Sequence, residues 1–189
     1  MLDKIAETVL ERLLRKNVII KEDYEIYEFG IKQLIITIVN MITAIVIGIV
    51  TKELVQTIIF VLAFMIIRSN AGGYHATTPL KCYVLSTLTI FITLSAMKHI
   101  ELDMFLLIIM LLCSSLVILI LAPVDTENKP LDNLEYGYYR KKARIVWGIE
   151  TLLAIVCVMV SFGTGAECIA YAQVVVSISL ISEYFIQMK

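Results

Sequence analysis

The feature that most restricts this chain is the recurrence of long runs without a single charged residue: 33–51, 54–67, 82–97, 104–122, 151–166 and 168–182. Roughly 20 helical residues cross a bilayer core, and a backbone in lipid must satisfy its own hydrogen bonds, which admits only helices and closed barrels. These runs are too long and too uniformly apolar for strands, so the sequence predicts an all-α polytopic membrane protein with six transmembrane helices. Composition agrees, because 59% hydrophobic and 17% charged residues leave a soluble domain too little polar surface. The second run is short and must borrow Lys52 and Ser69. Pro79 suits the first turn of a helix that starts before Cys82, and the fifth span is predicted to begin nearer Ile145, which puts Glu150 inside it.

Ahead of the first span, residues 1–16 carry Leu2, Ile5, Val9, Leu10, Leu13 and Leu14 at helical spacing, with Glu7, Glu11, Arg12 and Arg15 opposite. This is an amphipathic helix. A mixed segment from Lys21 to Lys32 follows, so residues 1–32 read as an interfacial region, or one packed on the protein's own face, and 33–189 as a six-span bundle. No linker or repeat divides the chain, and one domain is expected. Acidic residues at Asp3, Glu7 and Glu11 and the lack of a small-residue cleavage site argue against a cleaved signal. Of the 16 Lys and Arg, all but Lys52 and Lys98 fall on one side of six alternating spans. The positive-inside rule then sets both termini and the 68–81 loop in the cytoplasm.

The chemistry concentrates in that loop. Arg68-Ser-Asn-Ala-Gly-Gly-Tyr-His75-Ala-Thr-Thr-Pro-Leu-Lys-Cys82 is the only place where a histidine and a cysteine come together. On one unbroken helix they would lie roughly 10 Å apart. Pro79 disfavours helix at Thr78, and Gly72-Gly73 permits a tight bend, so the segment can fold back and bring imidazole to thiol. A histidine beside a cysteine stabilises the thiolate and can protonate a leaving amine, which is enough for acyl transfer. Amides at the start of a helix could stabilise an oxyanion, and Arg68 adds positive charge. The bland alternative is a packing cysteine and a merely polar histidine. Cys113, Cys157 and Cys168 lie in apolar surroundings and read as such packing residues.

The pattern Arg68, Gly72, Gly73, His75, Cys82 between the second and third spans resembles the accessory gene regulator protein B family of bacterial quorum sensing. The likeness covers the amphipathic N-terminus, the span number, the basic loop after the fourth span and the short C-terminus. It implies a cysteine endopeptidase of the bacterial cell membrane, acting from the cytoplasmic side on a small propeptide, accessory gene regulator D. By analogy Cys82 attacks at the junction of core and acidic tail, His75 moves the proton, and the core's own thiol or hydroxyl then closes a macrocycle. The resemblance also admits a homodimer.

Three further residues are candidates for substrate binding or support. Lys141 and Lys142, in the run Arg140-Lys-Lys-Ala-Arg144, could attract an acidic tail, although positive-inside topology alone accounts for them. Glu150 could orient His75 or bind substrate, but pairing with Arg144 or Lys142 is the plainer expectation. No metal or cofactor is expected, since no HExxH or paired-cysteine motif is present, and no nucleic-acid motif appears. The rival from another class is a small membrane transporter or scaffold without catalytic activity, which predicts several ionisable residues at mid-membrane.

Overall fold

A computed structural model describes residues 2–16, 18–20, 23–74, 78–100, 102–125 and 132–188, without the side chains of 2–5, Phe29 and Pro79. Among the described residues the chain is all-α, with seven helices: α1 (Leu2–Arg15), α2 (Tyr24–Thr51), α3 (Leu54–Ala71), α4 (Pro79–His99), α5 (Met104–Leu121), α6 (Asn133–Met159) and α7 (Gly163–Gln187). Five of them, α2 to α5 and α7, are long and apolar enough to cross a bilayer. The remaining expected span, the fifth in order, falls on α6, whose first half carries the Arg140–Arg144 cluster and whose interior holds Glu150.

Element boundaries follow local chemistry. Thr78 caps α4, accepting from the Lys81 amide at 3.3 Å, with Pro79 in the first turn. Asp103 caps α5 in the same manner. Asp132 and Glu135 form a reciprocal capping box that starts α6 twelve residues ahead of Ile145, so the fifth expected span is the second half of a longer helix.

Two further boundaries differ from expectation. The mixed segment before residue 33 is not separate, because helix α2 runs without a break from Tyr24; neither proline nor a left-handed residue interrupts it. The turn between the last two helices falls at 160–162 rather than at Glu167. Ser161 adopts a φ of 60° there, and Phe162 folds back over Gly165, where a Cβ would come within 2.6 Å of its ring.

Helix α7 is the axis of the bundle and packs against α3, α5 and α6. Its Gly165, Ala166, Cys168, Ala170 and Ala172 are fully buried or nearly so. Small side chains of this kind let helices approach closely, which is the main source of attraction between helices where no hydrophobic effect operates. Around them sit Phe60, Ala63, Leu94, Leu107 and Ala154 in one cluster and Ile67, Ala71, Ile118, Ala143 and Val176 in another. The outward faces keep Leu62, Phe91, Leu112 and Leu152 exposed, as lipid-facing residues should be. Helix α1 packs its buried Ala6 and Leu10 against α2, in line with an amphipathic helix seated on the protein's own face.

Candidate active site

Helix α3 ends, α4 begins, α5 ends and α7 ends at one end of the bundle, where a guanidinium ties α3 and the chain leaving it to α7. Arg68, in the last turn of α3, donates to Ser179 Oγ of α7 at 2.5 Å, to the Gly72 carbonyl at 3.4 Å and to the Tyr74 carbonyl. Its guanidinium carbon lies over the Phe64 ring, 5.8 Å from the centroid. The Tyr74 amide answers by donating to Ser179 Oγ at 3.0 Å and to the Ser179 carbonyl at 3.2 Å. Charge-assisted, forked hydrogen bonds of this type are what arginine supplies and lysine does not.

The two glycines are required by this geometry. Gly72 has φ +75° and pairs with Val124 as an isolated bridge, the Val124 amide donating to the Ala71 carbonyl at 3.1 Å. A Cβ at Gly72 would collide with the Val124 carbonyl. Gly73 has φ +116°, and a Cβ there would meet Arg68 Nη1 and Ser179 Oγ, each at 2.7 Å. Arg68, Gly72 and Gly73, read from sequence as neighbours of the chemistry, are thus one physical unit that turns the chain out of α3.

Cys82 follows in the first turns of α4 and is half-buried. It lines a cavity of about 800 Å³ together with Arg68, Asn70, Tyr74, Tyr139 and Ser182. Of the other cysteines, Cys168 is buried against the Gln56 carbonyl, Cys113 is exposed on the outer face of α5 and Cys157 packs beside Gly165. None of these three lines the cavity. His75 lies outside the described residues. The backbone donors expected from the start of α4 are few, since Pro79 has none, the Lys81 amide bonds to Thr78 Oγ1 and the Cys82 amide to the Thr78 carbonyl at 3.0 Å.

Other predicted residues stand apart from Cys82. Lys141 and Lys142 are exposed on α6. The Lys142 ammonium sits 4.6 Å from the Tyr138 ring centroid, and hydrogen bonding to that side chain raises its affinity for the proton. Arg140 and Lys141 line a shallow depression with Gly137 and Arg144. Glu150 does not pair with Arg144 or Lys142. Arg144 bonds instead to the Leu119 carbonyl at 3.4 Å. Glu150 is buried, both carboxyl oxygens lack a hydrogen-bond partner, and Gln173 beside it donates to Thr151 Oγ1 at 3.1 Å. It does not line the Cys82 cavity.

Sequence reading missed Ser179, which accepts from both Arg68 and Tyr74, and Glu183, a buried acid one turn further whose charge Arg68 feels. A polar stripe near the end of the last apolar run was the available signal.

A family model described as accessory gene regulator B matches residues 3–180. AgrB-like protein 2 of Clostridium perfringens is 26% identical over 162 residues, covering 82% of this chain and 73% of that protein. An AgrB-like protein of Clostridium acetobutylicum is 30% identical over 104 residues, 55% of this chain and 49% of its own. Accessory gene regulator protein B of Staphylococcus epidermidis is 24% identical over 131 residues, 69% of this chain and 68% of its own. No solved structure matches the chain.

If the Arg68 unit holds this end together, Arg68→Lys and Gly72→Ala should each destabilise the protein by about 1–3 kcal/mol through lost charged hydrogen bonds and left-handed strain. Gly137→Ala, inside α6 with open space around it, should leave stability unchanged or raise it. Thermal unfolding in detergent micelles checks this, and equal midpoints for all three would refute it.

Proposed function

The chain belongs to the accessory gene regulator B family, and on that premise we propose that it is a membrane cysteine endopeptidase with Cys82 as nucleophile and His75 as proton carrier. Membership puts it in the quorum-sensing peptide-processing system of accessory gene regulation, and its apolar helices put it in a membrane. The observation that carries the mechanism is that Cys82, alone of four cysteines, lines the large cavity, as Arg68 also does.

In this reading the Cys82 sulfur bonds to the scissile carbonyl carbon, the peptide C–N bond breaks, and the thiol proton passes through His75 to the departing amine. A nucleophile within the remaining core then displaces Cys82, restoring the thiol and closing a ring. The substrate is a propeptide of the accessory gene regulator D kind. Lys141 and Lys142 draw its acidic tail by long-range attraction. The small-transporter alternative rests on Glu150, a buried acid with no partner; a lone carboxyl without a matching site in a second half supports it weakly.

For topology we infer six spans, with α6 as the fifth in order, and both termini in the cytoplasm, from the one-sided placement of Lys and Arg.

The variant test co-expresses the chain with a propeptide of the accessory gene regulator D kind. Cys82→Ala and His75→Ala should lower cleavage at least about a thousandfold at unchanged membrane abundance. Lys141→Glu with Lys142→Glu should weaken it about tenfold at low salt and less at high salt. Cleavage that persists in Cys82→Ala would refute the nucleophile. Sidedness is checked with a membrane-impermeant maleimide: it should label Cys82 in inverted vesicles and not in right-side-out ones, and the reverse pattern would overturn the orientation.

A further inference from the structure

The cavity that holds Cys82 does not end there. It continues between α2 and α4 to Phe60, Ala44 and Ile90, and both helices turn a polar row into it. Helix α4 contributes Cys82, Ser86 and Thr89, and α2 contributes Gln33, Thr37 and Asn40, each at the i, i+4, i+7 spacing that forms one helical face. The two walls are braced by a hydrogen bond of 3.1 Å between Thr43 and Tyr83. No charged residue occurs in 33–51 or 82–97. The Asn40 side-chain oxygen is buried and has no hydrogen-bond partner.

An unsatisfied buried amide oxygen is costly in a membrane interior, so Asn40 calls for an occupant that can bond to it. A lipid acyl chain has no donor or acceptor. An extended peptide backbone offers both at every residue, and so suits Asn40 whichever way its amide is turned. From Cys82 to Thr89 the row spans about 10.5 Å, which an extended chain covers in about three residues.

Resting on the peptidase reading above, we propose that the α2–α4 cleft is the subsite for about three uncharged residues of the propeptide on the acyl side of the scissile bond, with Asn40 as the residue that positions their backbone. The acyl side is assigned because the severed amine must leave past Cys82 while the acyl group stays bound. A leaving segment held in the deep half would be trapped beneath the thioester.

The test uses the full chain in proteoliposomes with the co-expressed propeptide as probe. Asn40→Leu should raise KM about tenfold, the loss of one or two net hydrogen bonds, with kcat within about threefold. It should leave the unfolding midpoint of the unliganded protein unchanged or higher, since an unpartnered buried amide is being removed. A lowered midpoint with unchanged KM would make Asn40 a packing residue and overturn the proposal.

In parallel, p-benzoylphenylalanine replaces Thr89 in the cleft or Leu88 on the adjacent face of α4. Adducts from position 89, and not 88, to propeptide residues within about three of the cleavage point on its acyl side are expected. If position 89 yields only lipid adducts while the wild type still cleaves in a Cys82-dependent manner, the subsite is wrong and the peptidase reading stands. If cleavage does not depend on Cys82, both fall together.

Discussion

The Arg68 guanidinium joins three stretches of chain at this end of the bundle: the end of α3, the Gly72–Tyr74 exit and the α7 position of Ser179. A buried arginine is tolerable only when its donors are engaged, and here two carbonyls and a hydroxyl engage them. The path of the chain out of α3 is therefore fixed by charge-assisted hydrogen bonds. Gly72 and Gly73 are needed because no residue with a Cβ could pass so near Val124 and Ser179. Cys82, in the first turns of α4, lines the same cavity as Arg68.

The same anchor links site to scaffold. Ser179 belongs to α7, whose small residues draw α3, α5 and α6 around it. The far wall of the cavity, α2, is attached more lightly, through packing on α3 at Gly48 and the Thr43–Tyr83 hydrogen bond to α4. A rigid anchor beside the nucleophile and a less tightly held wall opposite suit a cleft that must admit and release a peptide.

Much of this was legible in the sequence, for identifiable reasons. Uncharged runs report helices because lipid excludes alternatives, and Pro79 announced the start of α4, whose cap at Thr78 the structure adds. Gly72 and Gly73 signalled a turn, and Arg68 an unusual charge, though only the structure joins them through Ser179. The turn at 160–162 was missed because charge alone was used to divide 151–182, whereas Gly163 and Gly165 and the packing of Phe162 decide it. Helix α6 began earlier than its apolar run because Asp132 and Glu135 cap it. Glu150 was misjudged since helical spacing cannot tell a carboxyl facing α7 from one facing Arg144. His75 lies outside the described residues, so its partnership with Cys82 rests on chemistry and family likeness.

The central claim is that Cys82 carries the acyl group between cleavage and ring closure. Its most direct test is intact-protein mass spectrometry after acid quench, using a propeptide whose ring-closing core residue is replaced by Ala so that the intermediate has no internal escape. The account predicts an added mass equal to the propeptide without its tail, mapped to Cys82 and removed by hydroxylamine. Release of the tail with no adduct on Cys82, or with the adduct on another residue, would contradict it.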